Sequence, residues 1–128
     1  MTDAVAETID LLRAWTPIRS TPGNGPGLGA MAATLTAWLR EHLGAEIVTD
    51  ALSLDPPIVH ARVDVGARRT IVLYNMYDVM PADPAGWSVD PFQGDVIELG
   101  PFGRCFVGRG AENNKGPLAG MLTAVRRL

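Results

Sequence analysis

At Gly44 the apolar residues change their spacing, and this limits the possible folds more tightly than anything else in the sequence. Upstream, Leu28, Met31, Leu35, Trp38, Leu39 and Leu43 recur every three or four residues, the repeat of one helix face. Downstream, short runs rich in β-branched residues occupy 45–49, 58–65 and 70–74, separated by Asp55-Pro56-Pro57 and Gly66-Ala67-Arg68. Each run reads as a strand. In the middle run Val59, Ala61, Val63 and Val65 alternate with Ile58, His60, Arg62 and Asp64, which predicts one buried and one wetter face. Ile71-Val72-Leu73 reads as buried on both faces.

An earlier helix is predicted over residues 2–15, with Val5, Ile9, Leu12, Leu11 and Trp15 on one side and Asp3 near its start. Pro17, Pro22, Gly23, Gly25, Pro26 and Gly27 then force a loop before the second helix, which Gly44 stops. A strand or hairpin is predicted through 96–99 and 105–108. Leu118, Met121, Leu122, Val125 and Leu128 mark a last helix that needs a sheet to lie on. This order predicts an α/β domain, a partial three-layer sandwich with a mixed, mostly parallel sheet flanked by helices.

With 128 residues, 47% hydrophobic and 20% charged, the chain has the makeup of one globular domain rather than a disordered or collagen-like one. Its net charge of −3 is spread without a basic run, so neither nucleic acid nor an anionic membrane is an expected partner. Cys105 is the one cysteine, which excludes an internal disulfide and an all-cysteine metal site. No signal-like start and no long apolar run is present, so a cytoplasmic location is expected.

The chemistry concentrates in two blocks: Tyr74-Asn75-Met76-Tyr77-Asp78-Val79-Met80-Pro81, and Gly108-Arg109-Gly110-Ala111-Glu112-Asn113-Asn114-Lys115-Gly116. Trp87 and Asp90-Pro91-Phe92 lie between them. Together with the Ser20-Thr21-Pro22-Gly23 loop, these blocks resemble the M20 family of metallopeptidases and amidohydrolases across essentially the whole chain. The resemblance implies that residues 1–128 are the amino-terminal portion of a catalytic domain, incomplete and without a lid domain. It also implies hydrolysis of an amide or related C–N bond, zinc or another divalent metal, and a small-molecule or peptide-like substrate.

In that family the blocks read His-x-Asp-Val-x-Pro and Gly-Arg-Gly-Ala-x-Asp-x-Lys-Gly. The histidine binds one metal and the second-block aspartate bridges two; here those positions hold Met76 and Asn113. A thioether is a soft neutral donor and an amide offers oxygen without charge, so both substitutions oppose the usual two-metal centre. Asp78 matches the aspartate that supports the metal histidine and is the candidate catalytic residue; Asn113 is the candidate metal ligand. The family's catalytic glutamate and remaining ligands lie beyond the twelve residues that follow Gly116. The resemblance thus implies a chain inactive alone, completed by further sequence or a partner chain.

Simpler roles stand beside these. Asn113 or Asn114 suits the N-cap of the last helix, and Lys115 suits either a site wall or a solvated helix start. His42 reads as a helix-end cation, His60 as surface or packing, Cys105 as an apolar filler, and Trp87 with Phe92 as cleft loop or local packing. Three functions remain open: part of a working hydrolase, a binding module that keeps the fold without catalysis, or a fragment with no independent activity.

Overall fold

The computed structural model describes residues 2–23, 25–48 and 54–128. Three helices form where the apolar period predicts them. Helix α1 spans Asp3–Trp15; Thr2 caps it, its hydroxyl accepting from Val5 N–H, and Asp3 lies in its first turn. Helix α2 spans Gly27–Leu43 and stops at Gly44, whose left-handed conformation (φ 59°) lets its N–H close onto Arg40 and Leu39 carbonyls. Helix α3 spans Lys115–Arg126.

Their apolar stripes meet in one core. Leu12 and Trp15 of α1 pack with Met31, Leu35, Trp38 and Leu39 of α2 and with Leu118, Ala119 and Leu122 of α3. Trp15 and Trp38 meet edge to face, centroids 6.4 Å apart. Val5 is an exception: it lies on the predicted stripe yet is half exposed at the open end of α1. Helices α1 and α3 are also fastened at the surface, where Glu7 receives Arg126 at 2.7 Å and Arg127 at 3.1 Å. Thr8 donates to Thr123 across the same seam.

The β part departs from the prediction. Strands β1 (Glu46–Ile47) and β2 (Ala61–Arg62) pair antiparallel, as do β3 (Asp95–Glu98) and β4 (Arg104–Val107). The molecule is α/β, with the 95–107 hairpin where expected. However, a mostly parallel sheet is not formed among the described residues, and Thr49 of the first predicted strand lies outside them. Within the predicted 70–74 strand, residues 71–74 are the clearest correction. Expected to be buried on both faces, Ile71 and Val72 are 82% and 87% exposed, and the run makes no backbone hydrogen bond among the described residues. A strand exists only against another strand, and among the described residues neither antiparallel pair extends its open edge to 71–74. In the middle run Val59 and Ala61 reach the core, while Val63 and Val65 stay exposed.

Candidate functional site

Three backbone segments converge beside the end of the 71–74 run. The loop after α1 supplies Ser20, fully buried, whose hydroxyl donates to Tyr77 carbonyl at 2.7 Å while its own carbonyl accepts from Val79 N–H at 3.0 Å. These two bonds bracket Asp78 and fix its backbone. From the other side, the Asn114 amide donates to Asp78 carbonyl at 2.7 Å and to its carboxylate at 3.2 Å. Asn114 stands at the N-cap position of α3 but makes no capping bond; its side chain is committed to Asp78 instead, from a backbone at φ 77°. Asn113, the other capping candidate, is exposed. Tyr77 donates its hydroxyl to Pro57 carbonyl, and burial first, then the neighbouring Asp78 charge, pushes its pKa up.

Lys115 follows neither sequence expectation. It is fully buried, and its ammonium donates to Trp15 carbonyl at 2.7 Å and Ile18 carbonyl at 2.5 Å. The charge sits at the carboxyl end of α1, where unpaired carbonyls favour a cation. Burial pulls its pKa down from 10.5 to about 8. Lys115 thereby ties α3 to the start of the loop that carries Ser20. Gly110 and Gly116 make room for this junction. A Cβ at Gly116 would fall 1.8 Å from Ala111 carbonyl oxygen, and one at Gly110 would meet Val79 at 2.8 Å. The carbonyl partners of Lys115 lie 100 and 97 residues away, so the sequence around it gave no signal for this role.

Asp78, Asn113 and Asn114 line one cavity of about 240 Å³ together with Glu112, Arg109 and Trp87. Met76 is not among its lining residues and is 45% exposed. Arg109 lies over the Trp87 ring at 5.0 Å, a pairing the sequence did not reveal. Its backbone N–H donates to Pro91 carbonyl at 2.6 Å, and Arg19 covers Phe92 at 4.5 Å, so the 87–92 loop is held against the cavity rather than merely packed on itself. A larger hollow of about 550 Å³ beside α1, His42 and Arg126 contains none of the two blocks' residues. His42 stacks on Trp38 there, and His60 is exposed, both as structural readings expect. Cys105 is half-buried on β4.

The donors present do not fit the two-metal centre implied by the family resemblance. No group of three or more His, Cys, Asp or Glu side chains is placed to hold an ion among the described residues. Of the three positions in question, only Asp78 carries a charge, and its carboxylate is already hydrogen-bonded to Asn114. The arrangement can position a polar ligand.

No protein-family model matches the chain. Over 72 residues it is 42% identical to the Cys-Gly metallodipeptidase dug1 of Schizosaccharomyces pombe, covering 55% of this chain and 14% of that protein. It is 34% identical to the cysteinylglycine-S-conjugate dipeptidase of Corynebacterium striatum over 94% of this chain and 25% of that protein. The fold is similar to the crystal structure of an M20 family metallo-carboxypeptidase, Sso-CP2 from Sulfolobus solfataricus, with a TM-score of 0.74 and 28% identity. That match covers all of this chain and 27% of the other. The chain therefore spans a quarter or less of the curated relatives named here, and what it matches from end to end is one part of that fold. Sequence and fold together support an M20-family reading of the chain.

Proposed function

We propose that residues 1–128 form the leading part of an M20-type catalytic domain that receives short peptides, and that this part does not cleave them alone. The observation that carries this reading is the cavity beside Asp78, built from the two blocks that resemble the family and walled by charged and amide groups suited to a peptide. Asp78 is the residue assigned to the reaction, with Asn113 at a metal-ligand position. Zinc or another divalent ion belongs to the reading because the relatives are named metallopeptidases, yet Met76 and Asn113 withhold the donors such an ion needs. The chain's own contribution is to bind and orient: Asn114 and Ser20 hold Asp78, while Arg109 and Trp87 line the same cavity.

The same reading gives the 71–74 run a place. Its exposed apolar side chains, and backbone groups without a partner among the described residues, suit a strand inside the mixed, mostly parallel sheet of a three-layer sandwich, completed by later sequence or a partner chain. A cytoplasmic location, compatible with the lone half-buried cysteine, completes it.

A second reading, a peptide-binding relative without catalysis, is favoured by one observation, the paired loss of donors at Met76 and Asn113. Metal content and dipeptide hydrolysis of the full-length natural protein, supplied with zinc or manganese, separate the two. Stoichiometric metal with turnover supports the hydrolase. A folded protein without metal or turnover that still binds dipeptide sinks it in favour of the second reading.

A further inference from the structure

We infer that Lys115 is a positioning residue for Asp78: its buried ammonium closes a ring of hydrogen bonds that fixes where the Asp78 carboxylate stands. This rests on the reading above in taking Asp78 as the residue assigned to the reaction. The ring can be followed bond by bond. Lys115 donates to Ile18 carbonyl at 2.5 Å, and the same oxygen accepts from Ser20 N–H at 2.8 Å. Ser20 carries the connection onward, its hydroxyl to Tyr77 carbonyl and its own carbonyl to Val79 N–H, on either side of Asp78. Asp78 in turn receives the Asn114 amide at its carbonyl and its carboxylate. From Asn114 one peptide bond leads back to Lys115.

Ser20 and Asn114 thus hold Asp78 from two sides, each riding on its own segment. Their joint hold defines a single position when the two segments are fixed to each other, and the Lys115 ammonium fixes them. The backbone of Asn114 records the constraint. It keeps φ at 77° with no side-chain capping bond, a conformation that a residue other than glycine holds where its surroundings over-determine it.

The ammonium is fully buried and forms no ion pair among the described residues, so its donors are committed to the Trp15 and Ile18 carbonyls. Each of those carbonyls also has a second donor, Ile18 N–H for Trp15 and Ser20 N–H for Ile18. A side chain of similar length without the ammonium therefore orphans neither oxygen, and replacing a buried charge by an apolar group need not destabilise the fold. What such a variant removes is the tie between α3 and the Ser20 loop, which separates positioning from stability.

The test is hydrogen exchange on the full-length natural protein at slightly acid pH, resolved to the Val79 amide and to Leu35 and Leu39 in α2. In Lys115→Met, protection at Val79 should fall about tenfold while that of the α2 amides stays within about twofold, because the ring opens locally. Glu7→Ala, which removes the Arg126 and Arg127 pairs elsewhere on the α1–α3 seam, should leave Val79 unchanged relative to α2. Unchanged protection at Val79 in Lys115→Met, an equal loss throughout the protein, or the same local loss in Glu7→Ala overturns the inference. Should Lys115→Met fail to fold, Lys115→Gln, which is too short to span both carbonyls, is read the same way. With metal and a dipeptide, Lys115→Met should lower kcat about tenfold and leave KM within about twofold, the mark of a misplaced group rather than lost binding. An unchanged kcat also overturns the inference. If the unaltered protein shows no turnover, the hydrolase reading fails, and the exchange comparison alone decides the ring.

Discussion

Helix α2 and the run at 71–74 are both rich in apolar residues, yet one lies in the core and the other in solvent. A helix satisfies its own backbone and needs a neighbour only for its apolar stripe, which α1 and α3 supply. A strand must find both a backbone partner and two covered faces, and residues 71–74 find neither among the described residues. The same apolar content therefore stabilises one region and leaves the other dependent on something more.

The largest effect belongs to the helical core. Trp15 is 1% exposed and meets Trp38, so Trp15→Ala should cost about 3–5 kcal/mol in urea unfolding, with loss of the cooperative transition if the chain is less stable than that. A loss below about 1 kcal/mol would mean that the three-helix core is not what holds this chain together.

The next is set by pH. Burial disfavours the charged form of Lys115, so the folded chain releases that proton near pH 8 while the unfolded chain keeps it to about 10.5. The unfolded state then binds more protons in that window, and stability rises with pH there, flat for this group below about 8. At about 1.36 kcal/mol per pH unit the full gain is about 3 kcal/mol. Tyr77, whose pKa is raised, works the other way above pH 10, so the rise is best read between 8 and 10. In Lys115→Met the rise should disappear; an unchanged slope would mean that Lys115 does not titrate in this window.

A smaller loss is expected from Gly116→Ala. In most helices that change is favourable, but here the new Cβ would fall 1.8 Å from Ala111 carbonyl oxygen, forcing the turn before α3 to move. A cost of about 1–3 kcal/mol should appear as a lower urea midpoint, together with displaced Asp78 and Asn114 amide signals. Stabilisation instead would show that this turn is slack.

What the sequence revealed follows the same division. Apolar period located α1, α2 and α3, and Gly44 marked a real stop, because these signals are local. The 95–107 hairpin was equally legible. Strand positions were only half so: residues 58–65 have the right alternation, but pairing depends on partners that no local pattern names. At the site, Asp78, Asn113 and Asn114 were found through the two blocks and do share a cavity, whereas Met76 stays outside its lining. The joints around the site, Ser20 to Tyr77 and Lys115 to Trp15, join residues 57 and 100 positions apart, and nothing in their neighbourhoods announces them.

The smallest effect is the most telling for the contrast. Val72 is 87% exposed, so Val72→Thr removes little buried surface and breaks no backbone bond, and its cost in the 128-residue chain should stay within about 0.5 kcal/mol. The two side chains have nearly the same shape and β preference, which leaves burial of the added hydroxyl as the only difference that can matter. In a longer form that covers this run, the same change buries an unpaired hydroxyl and should cost about 1–3 kcal/mol. Measured in both forms, a penalty confined to the longer one would identify 71–74 as an interior strand awaiting its neighbours. A penalty already present in the 128-residue chain would mean that these side chains are covered there after all, and the difference between the two regions would collapse.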